Sequence, residues 1–169
     1  MWRVRVYLPT TLSALAARWR SPLSEPGAIA YAVTPALREW YREGDLEELE
    51  YVALLHAALA SLRLIAREPA AEASRRVVLA ADVPDGAVNA TPDLDHAAVR
   101  LAVPVTVELL AAAHVDDLAA APEVARAAQV VDRADGGDDD AQFVVDGLDD
   151  YELQWYAVQE IEFLLAPES

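Results

Sequence analysis

Cysteine and lysine are absent from this chain, glycine occurs 6 times in 169 residues, histidine 3 times, and 13 basic residues face 29 acidic ones. Each shortage removes a class of function. Without cysteine there is no disulfide scaffold. Three histidines with no His-x-x-x-His spacing leave a structural or catalytic zinc centre unsupported, and the sequence implies no metal. The few glycines form no phosphate-cradling loop, which removes nucleotide binding of the P-loop or dinucleotide kind. No serine stands in a Gly-x-Ser-x-Gly turn, so nucleophilic catalysis has no support, and no cofactor is expected. No uninterrupted apolar run approaches the roughly 20 residues that cross a bilayer. A net charge of −16 repels phosphate backbones and anionic lipid, so neither nucleic acid nor a membrane is an expected partner.

What is present reads as a globular chain: 54% hydrophobic and 25% charged residues, at a length that fits one domain. The charge is unevenly spread. Residues 1–81 are nearly balanced, with 10 Arg against 9 acids, whereas residues 82–169 carry 3 Arg against 20 acids. The all-Arg basic set, with abundant Ala, Val and Asp, is the signature of GC-rich codon usage. Arg3 and Arg5 precede no apolar core or cleavage pattern, so the start does not read as a secretory signal and the cytoplasm is the expected location.

Trp2 to Leu8 alternates with a period of two and predicts a half-buried strand, stopped by Pro9. Thr10 or Thr11 then caps a helix running to about Arg20. Ala28 to Val33 predicts a short buried strand. Thr34-Pro35 is a helix start, with Pro where its missing N–H costs nothing, and Asp45 with Glu48 restarts the helix through about Ala66. That helix is apolar on two nearly opposite faces, Tyr51, Val52, Leu55, Leu59 and Leu62 on one and Leu46, Leu49, Ala53, Ala57, Ala60 and Leu64 on the other, as expected of a central element. Arg76 to Asp82 predicts a third strand, and Asn89 to Asp95 a loop. Ala98–Val103 and Val107–Val115 read as strands, with a helix over 108–114 as the alternative. Leu118–Val130 predicts a helix, residues 134–142 an acidic flexible loop, Phe143 to Val145 an edge strand, and Asp149 or Asp150 the cap of a last helix reaching Leu165. Strands alternating with helices up to residue 82 imply N-terminal βαβαβ crossovers with parallel pairing. The expected fold is a single α/β or α+β domain, a mixed sheet of four to six strands with packed helices.

The segments Arg5 to Pro9, Ala32 to Tyr41, Glu48 to Tyr51, Ala80 to Pro84, His114 to Asp117 and Trp155 to Glu160 together resemble an uncharacterised family of small actinobacterial proteins, a domain of unknown function. The resemblance spans nearly the full length. It implies one domain and a cytoplasmic setting, and implies no activity.

Candidate sites follow from strand ends, because in an open parallel sheet ligands gather beyond the carboxyl ends of strands. Thr10 and Thr11, and Thr34 with Arg38, stand at two helix starts with no acid in the first turn, suited either to ordinary capping or to holding an anion. His114, Asp116 and Asp82 offer an imidazole with carboxylates, a base with an orienting acid or part of a metal site; the plain alternative is a structural His with Asp caps, Asp117 among them. His56 on the central helix predicts a partly buried imidazole with one hydrogen-bond partner, and His96 a solvated one. Asp138, Asp139 and Asp140 lack the alternate acids, central Gly and distal Glu of a calcium loop. Trp40 and Trp155 each begin a Trp-Tyr pair that leaves one ring outside the core, either core edging or a partner surface.

Two readings result. One is a non-catalytic interaction or regulatory module with an acidic surface, binding an unknown protein partner or a second copy of itself. The other is a small enzyme, or an anion- or metal-ligand-binding protein, using a strand-end cluster around His114, Asp116 and Asp82, with Thr34 and Arg38 holding an anionic substrate.

Overall fold

The computed structural model describes residues 2–68 and 74–165. Seven strands, β1 (Arg3–Thr10), β2 (Ile29–Tyr31), β3 (Val77–Pro84), β4 (Val88–Ala90), β5 (Ala98–Leu101), β6 (Leu110–Asp116) and β7 (Leu153–Tyr156), form one open sheet in the order β4-β5-β2-β1-β3-β6-β7. Six helices accompany it: α1 (Leu12–Arg18), α2 (Pro35–Trp40), α3 (Leu46–Ala66), α4 (Ala121–Asp135), α5 (Asp139–Asp146) and α6 (Ile161–Leu165).

Every pairing is antiparallel, which corrects the parallel βαβαβ expectation. Strands β2 and β3 do run in the same direction with α2 and α3 crossing between them, but β1 is inserted between the two and pairs antiparallel with both. Alternation of strands and helices thus reports a crossover without saying whether its strands are neighbours; here the unit is a split one. The sheet also has seven strands rather than four to six.

Pairing directly across antiparallel strands places partners on one face. Val6 and Leu8 of β1, Val77, Leu79 and Val83 of β3 and Ala113 and Val115 of β6 look toward Leu15 of α1 and Ile161 of α6. The opposite face carries Tyr7, Val78, Ala80 and Ala112, covered by Leu37 of α2 and Leu49, Ala53, Ala57 and Ala58 of α3. Alanine on both sides of that contact lets the helix axis lie close to the sheet. The other side of α3, through Leu62 and Ile65, packs on Val124, Ala127 and Val131 of α4 and Ala141 and Val145 of α5. The two-faced reading of α3 holds for its buried positions, while Leu46, Tyr51, Leu55 and Leu64 are exposed and Val52 packs on the sheet side: this helix of 21 residues, long and apolar enough by composition to span a bilayer, spends its buried positions in two cores of its own protein.

The late chain differs most from expectation. Residues 134–142 are the end of α4, a two-glycine turn and the first turn of α5, not a loop, and residues 143–145 are helical, not strand. Asp138 caps α5 by accepting from the Ala141 N–H, and Asp139 and Asp140 sit in the first turn, where the partial positive charge of the helix start favours carboxylates. The acids that read as a self-repelling loop are a helix start. Residues 153–156 are the edge strand β7 against β6 rather than part of a last helix, which is confined to 161–165. The ambiguous stretch 107–115 resolves as a 3₁₀ turn at Val107–Leu109 followed by β6.

Candidate functional site

The three strand-end candidates share one sheet face but do not converge. His114 pairs with Val78 and lies edge-on to Tyr7, ring centroids 6.4 Å apart. Burial, and then the positive charge of Arg5, hold its imidazole below the ordinary range. Asp82 stands four residues along β3 from Val78, roughly 13 Å by the strand rise, and its carboxylate takes two bonds from Arg5, at 2.7 and 3.2 Å. Asp116 is fully buried and accepts from Arg76 three times, from its backbone N–H at 2.7 Å and its guanidinium at 2.8 and 2.8 Å. Both acids are therefore committed to arginines, and nothing among the described residues draws them to His114. Asp117 caps the 3₁₀ turn at Leu118–Ala120.

The threonines at the helix starts are occupied by the protein itself. Thr11 caps α1 by accepting from the Ala14 N–H, and the Glu68 carboxylate accepts from both Thr11 and Ser13, the latter at 2.6 Å. An internal carboxylate fills the place expected of an anion there. Thr10 is buried beside it. Thr34 caps α2 by accepting from the Leu37 N–H at 3.0 Å and donates to the carbonyl of His96. Arg38 is exposed one turn further on.

Trp40 and Trp155 are 65% and 62% exposed. Trp40 stacks on His96 with ring centroids 4.4 Å apart, so His96 is half-buried against an exposed ring rather than fully solvated. Trp155 lies on the edge strand β7 opposite His114. Four strand spacings separate β2, which adjoins Trp40's helix, from β7, roughly 19 Å, so the two rings belong to separate patches.

Two features escape sequence reasoning. The first is a dyad in which the Asp95 carboxylate lies 2.7 and 2.9 Å from His56 Nδ1 and also accepts from the Ala97 N–H at 2.8 Å. Burial pushes Asp95 up, but the bonds from His56 and Ala97 bring it below the usual carboxylate range. Tyr31 stands edge-on to His56 at 6.4 Å. A carboxylate that fixes one imidazole nitrogen leaves the other to exchange a proton. Among the described residues, however, no group of three metal-ligating side chains exists. His56 was legible as a singly bonded imidazole, but its partner lies 39 residues away and no local pattern names it.

The second feature is a groove between α3 and the chain from α5 to β7. It consists of two hollows of about 140 and 130 Å³ that share Leu55, Arg76, Leu148 and Asp149. On α3 the first is lined around Tyr51, Leu54 and Leu55 and the second around Leu55, Leu59 and Leu62, so the hollows lie about one helical turn apart. Asp146, Asp149 and Glu152 stand at its margin, while its cation, Arg76, is neutralised by Asp116 and anchored to the Tyr151 carbonyl at 3.0 Å. Trp155 is on the same face of β7 as Leu153 of the groove wall. The signal in the sequence was Tyr51, Leu55 and Leu59 on the second apolar face of α3, a stripe that α4 and α5 cover only toward its C-terminal half.

No curated protein and no solved structure matches the chain. The order of elements from β1 to α6 that builds the dyad and the groove coincides with one family match, over residues 4–165, and by it the chain belongs to the family of unknown function DUF6912.

Proposed function

We propose that the protein is a non-catalytic interaction module whose acidic groove along α3 receives a basic, apolar segment of another protein. The groove carries the reading: apolar walls, three carboxylates at the margin, and a lone guanidinium already matched by a buried acid. Two hollows one turn apart suit side chains at positions i and i+4 of a helix, which also lie one above the other. Each has room for one large aliphatic side chain. Burying two of them supplies about 3–6 kcal/mol, equivalent to a Kd between about 6 mM and 40 μM before ordering costs and any contribution from the charges. Charge argues against a second copy as occupant, since two chains of −16 repel each other. Trp155 extends the surface beyond Leu153. The cytoplasmic, actinobacterial setting expected from the sequence belongs to this reading. The His56–Asp95 dyad is the foothold for an enzyme, but no nucleophile accompanies it among the contacts of the described residues.

The test is titration with a synthetic helical peptide carrying Leu at i and i+4 flanked by Arg, followed by calorimetry. Saturable binding is expected, weakening as salt rises from about 0.05 to 0.5 M because the screening length shrinks. It should be at least tenfold weaker for Leu55→Arg, a substitution at a half-exposed site. Affinity indifferent to both salt and Leu55→Arg would overturn the proposal.

A further inference from the structure

A further hollow, of about 450 Å³, opens on the other flank of α3, between its C-terminal half, the ends of β1 and β2 and the loop over residues 23–28. This is within the 300–1,000 Å³ range of small-molecule sites. Its apolar lining includes Leu23, Ile29 and Leu64, with Leu8 and Pro9 where β1 runs on past its single pairing with β2, Tyr7 with Tyr31. The polar groups on its walls are few and their pairing can be followed one by one. Glu25 is engaged by Arg18. Arg63 is held in bidentate fashion by Asp135, both bonds 2.9 Å. Arg67, one turn beyond Arg63 on the same side of the helix, makes no side-chain hydrogen bond or ion pair among the described residues. Ser24 is buried and its Oγ accepts from the Val105 N–H at 2.9 Å, which leaves its own proton to donate. The Tyr31 hydroxyl has no partner among the described residues, and burial, with Asp95 nearby, pushes its pKa up, so it stays a donor.

With its other charges matched in pairs, the hollow keeps, among the described residues, one cation and two hydroxyl donors without a matching acceptor beside an apolar lining, inside a chain whose net charge is −16. We infer that this hollow binds a small organic monoanion, a carboxylate with an apolar body, its head between Arg67 and Tyr31 and its body over Leu8, Leu23 and Leu64. The guanidinium can only donate and the phenol still has its proton to donate, so the pair is complementary to carboxylate oxygens, while the fixed positive charge disfavours an ammonium. The apolar lining excludes a bare inorganic anion as the preferred occupant, because it would leave that surface unfilled. The site is separate from the groove on α3, and the two inferences stand or fall independently.

The experiment uses the full chain with octanoate as probe, octanol and octylamine as its neutral and cationic counterparts, and acetate as the head without the body. Binding is read by calorimetry and by the ring resonances of Tyr31. Octanoate should bind saturably and shift Tyr31, with octanol, octylamine and acetate at least tenfold weaker. Arg67→Met should weaken octanoate at least tenfold, and Ala60→Trp, which fills the hollow from the helix side, should abolish the Tyr31 shift, while both variants keep the wild-type circular dichroism spectrum and the groove's affinity for the Leu/Arg peptide. Equal binding of octanoate and octylamine, no saturable binding, or binding unchanged in both variants would overturn the inference. Should either variant fail to fold, the comparison among the four probes on the wild-type chain decides the matter alone.

Discussion

Truncating Asp116 separates the structural from the catalytic reading of the strand-end residues. The Asp116 and Arg76 side chains are 0% and 8% exposed, and one carboxylate receives both the guanidinium and the Arg76 N–H. In Asp116→Ala the guanidinium stays buried with the Tyr151 carbonyl as its remaining contact, and breaking a buried pair in this way costs about 3–5 kcal/mol. Against a total stability of about 5–15 kcal/mol that is a large fraction. At this chain length it corresponds to a fall in Tm of roughly 6–20 °C. The Arg5–Asp82 pair is the internal control: its side chains are 38% and 39% exposed, so water already solvates both, and Asp82→Ala should cost no more than about 1 kcal/mol. Urea unfolding followed by circular dichroism, with m-values compared, measures both. The paired replacement Arg76→Met with Asp116→Leu should recover most of the loss, since no charge is then left unpaired. An Asp116→Ala variant within about 1 kcal/mol of wild type, or no less stable than Asp82→Ala, would refute the assignment of Asp116 to the framework.

Two further outcomes rest on single side chains. Ser61 is buried on α3, donates to the Thr10 carbonyl at 2.7 Å and accepts from the Val77 N–H at 3.0 Å, so it joins the helix to the ends of β1 and β3. Ser61→Ala leaves both backbone groups without that partner and should cost about 1–3 kcal/mol in urea unfolding, with faster exchange of the Val77 amide; an unchanged midpoint would exclude the stitch. His114, held below the ordinary imidazole range by burial and Arg5, binds fewer protons folded than unfolded. Its contribution is therefore complete above the unfolded imidazole pKa of about 6.5 and is lost as pH falls from there toward the lower folded value. The stability gap between wild type and His114→Gln should accordingly narrow on acidification through that window, and a gap independent of pH would contradict the assignment.

Much of the first half was legible because its signals are local. Alternation in Arg3 to Leu8 marks β1; Thr11, Thr34-Pro35 and Asp45 cap α1, α2 and α3 with their own side chains, through bonds to N–H groups three residues on. The two apolar faces of α3 foretold two cores. The same local logic failed where two periods fit one segment. Leu153, Ala157 and Ile161 recur at helical spacing while Leu153 and Trp155 alternate with Gln154, and the free edge of β6 settles the contest for a strand. At Asp138 to Asp140 the charge run was visible but not its placement at a helix start, where repulsion is offset by the helix dipole.

The amino-acid order by itself determined the central helix, its caps, the strands on either side of it and the acidity of the second half, because each depends on neighbours within about one turn or one strand. Only the tertiary structure decided that β1 separates β2 from β3, that Asp116 and Asp82 belong to Arg76 and Arg5 rather than to His114, and that Asp95 belongs to His56. Those pairings join residues 39 to 77 positions apart. They are selected by sheet register and packing, which bring the partners within bonding distance, and no local period encodes which distant partner arrives.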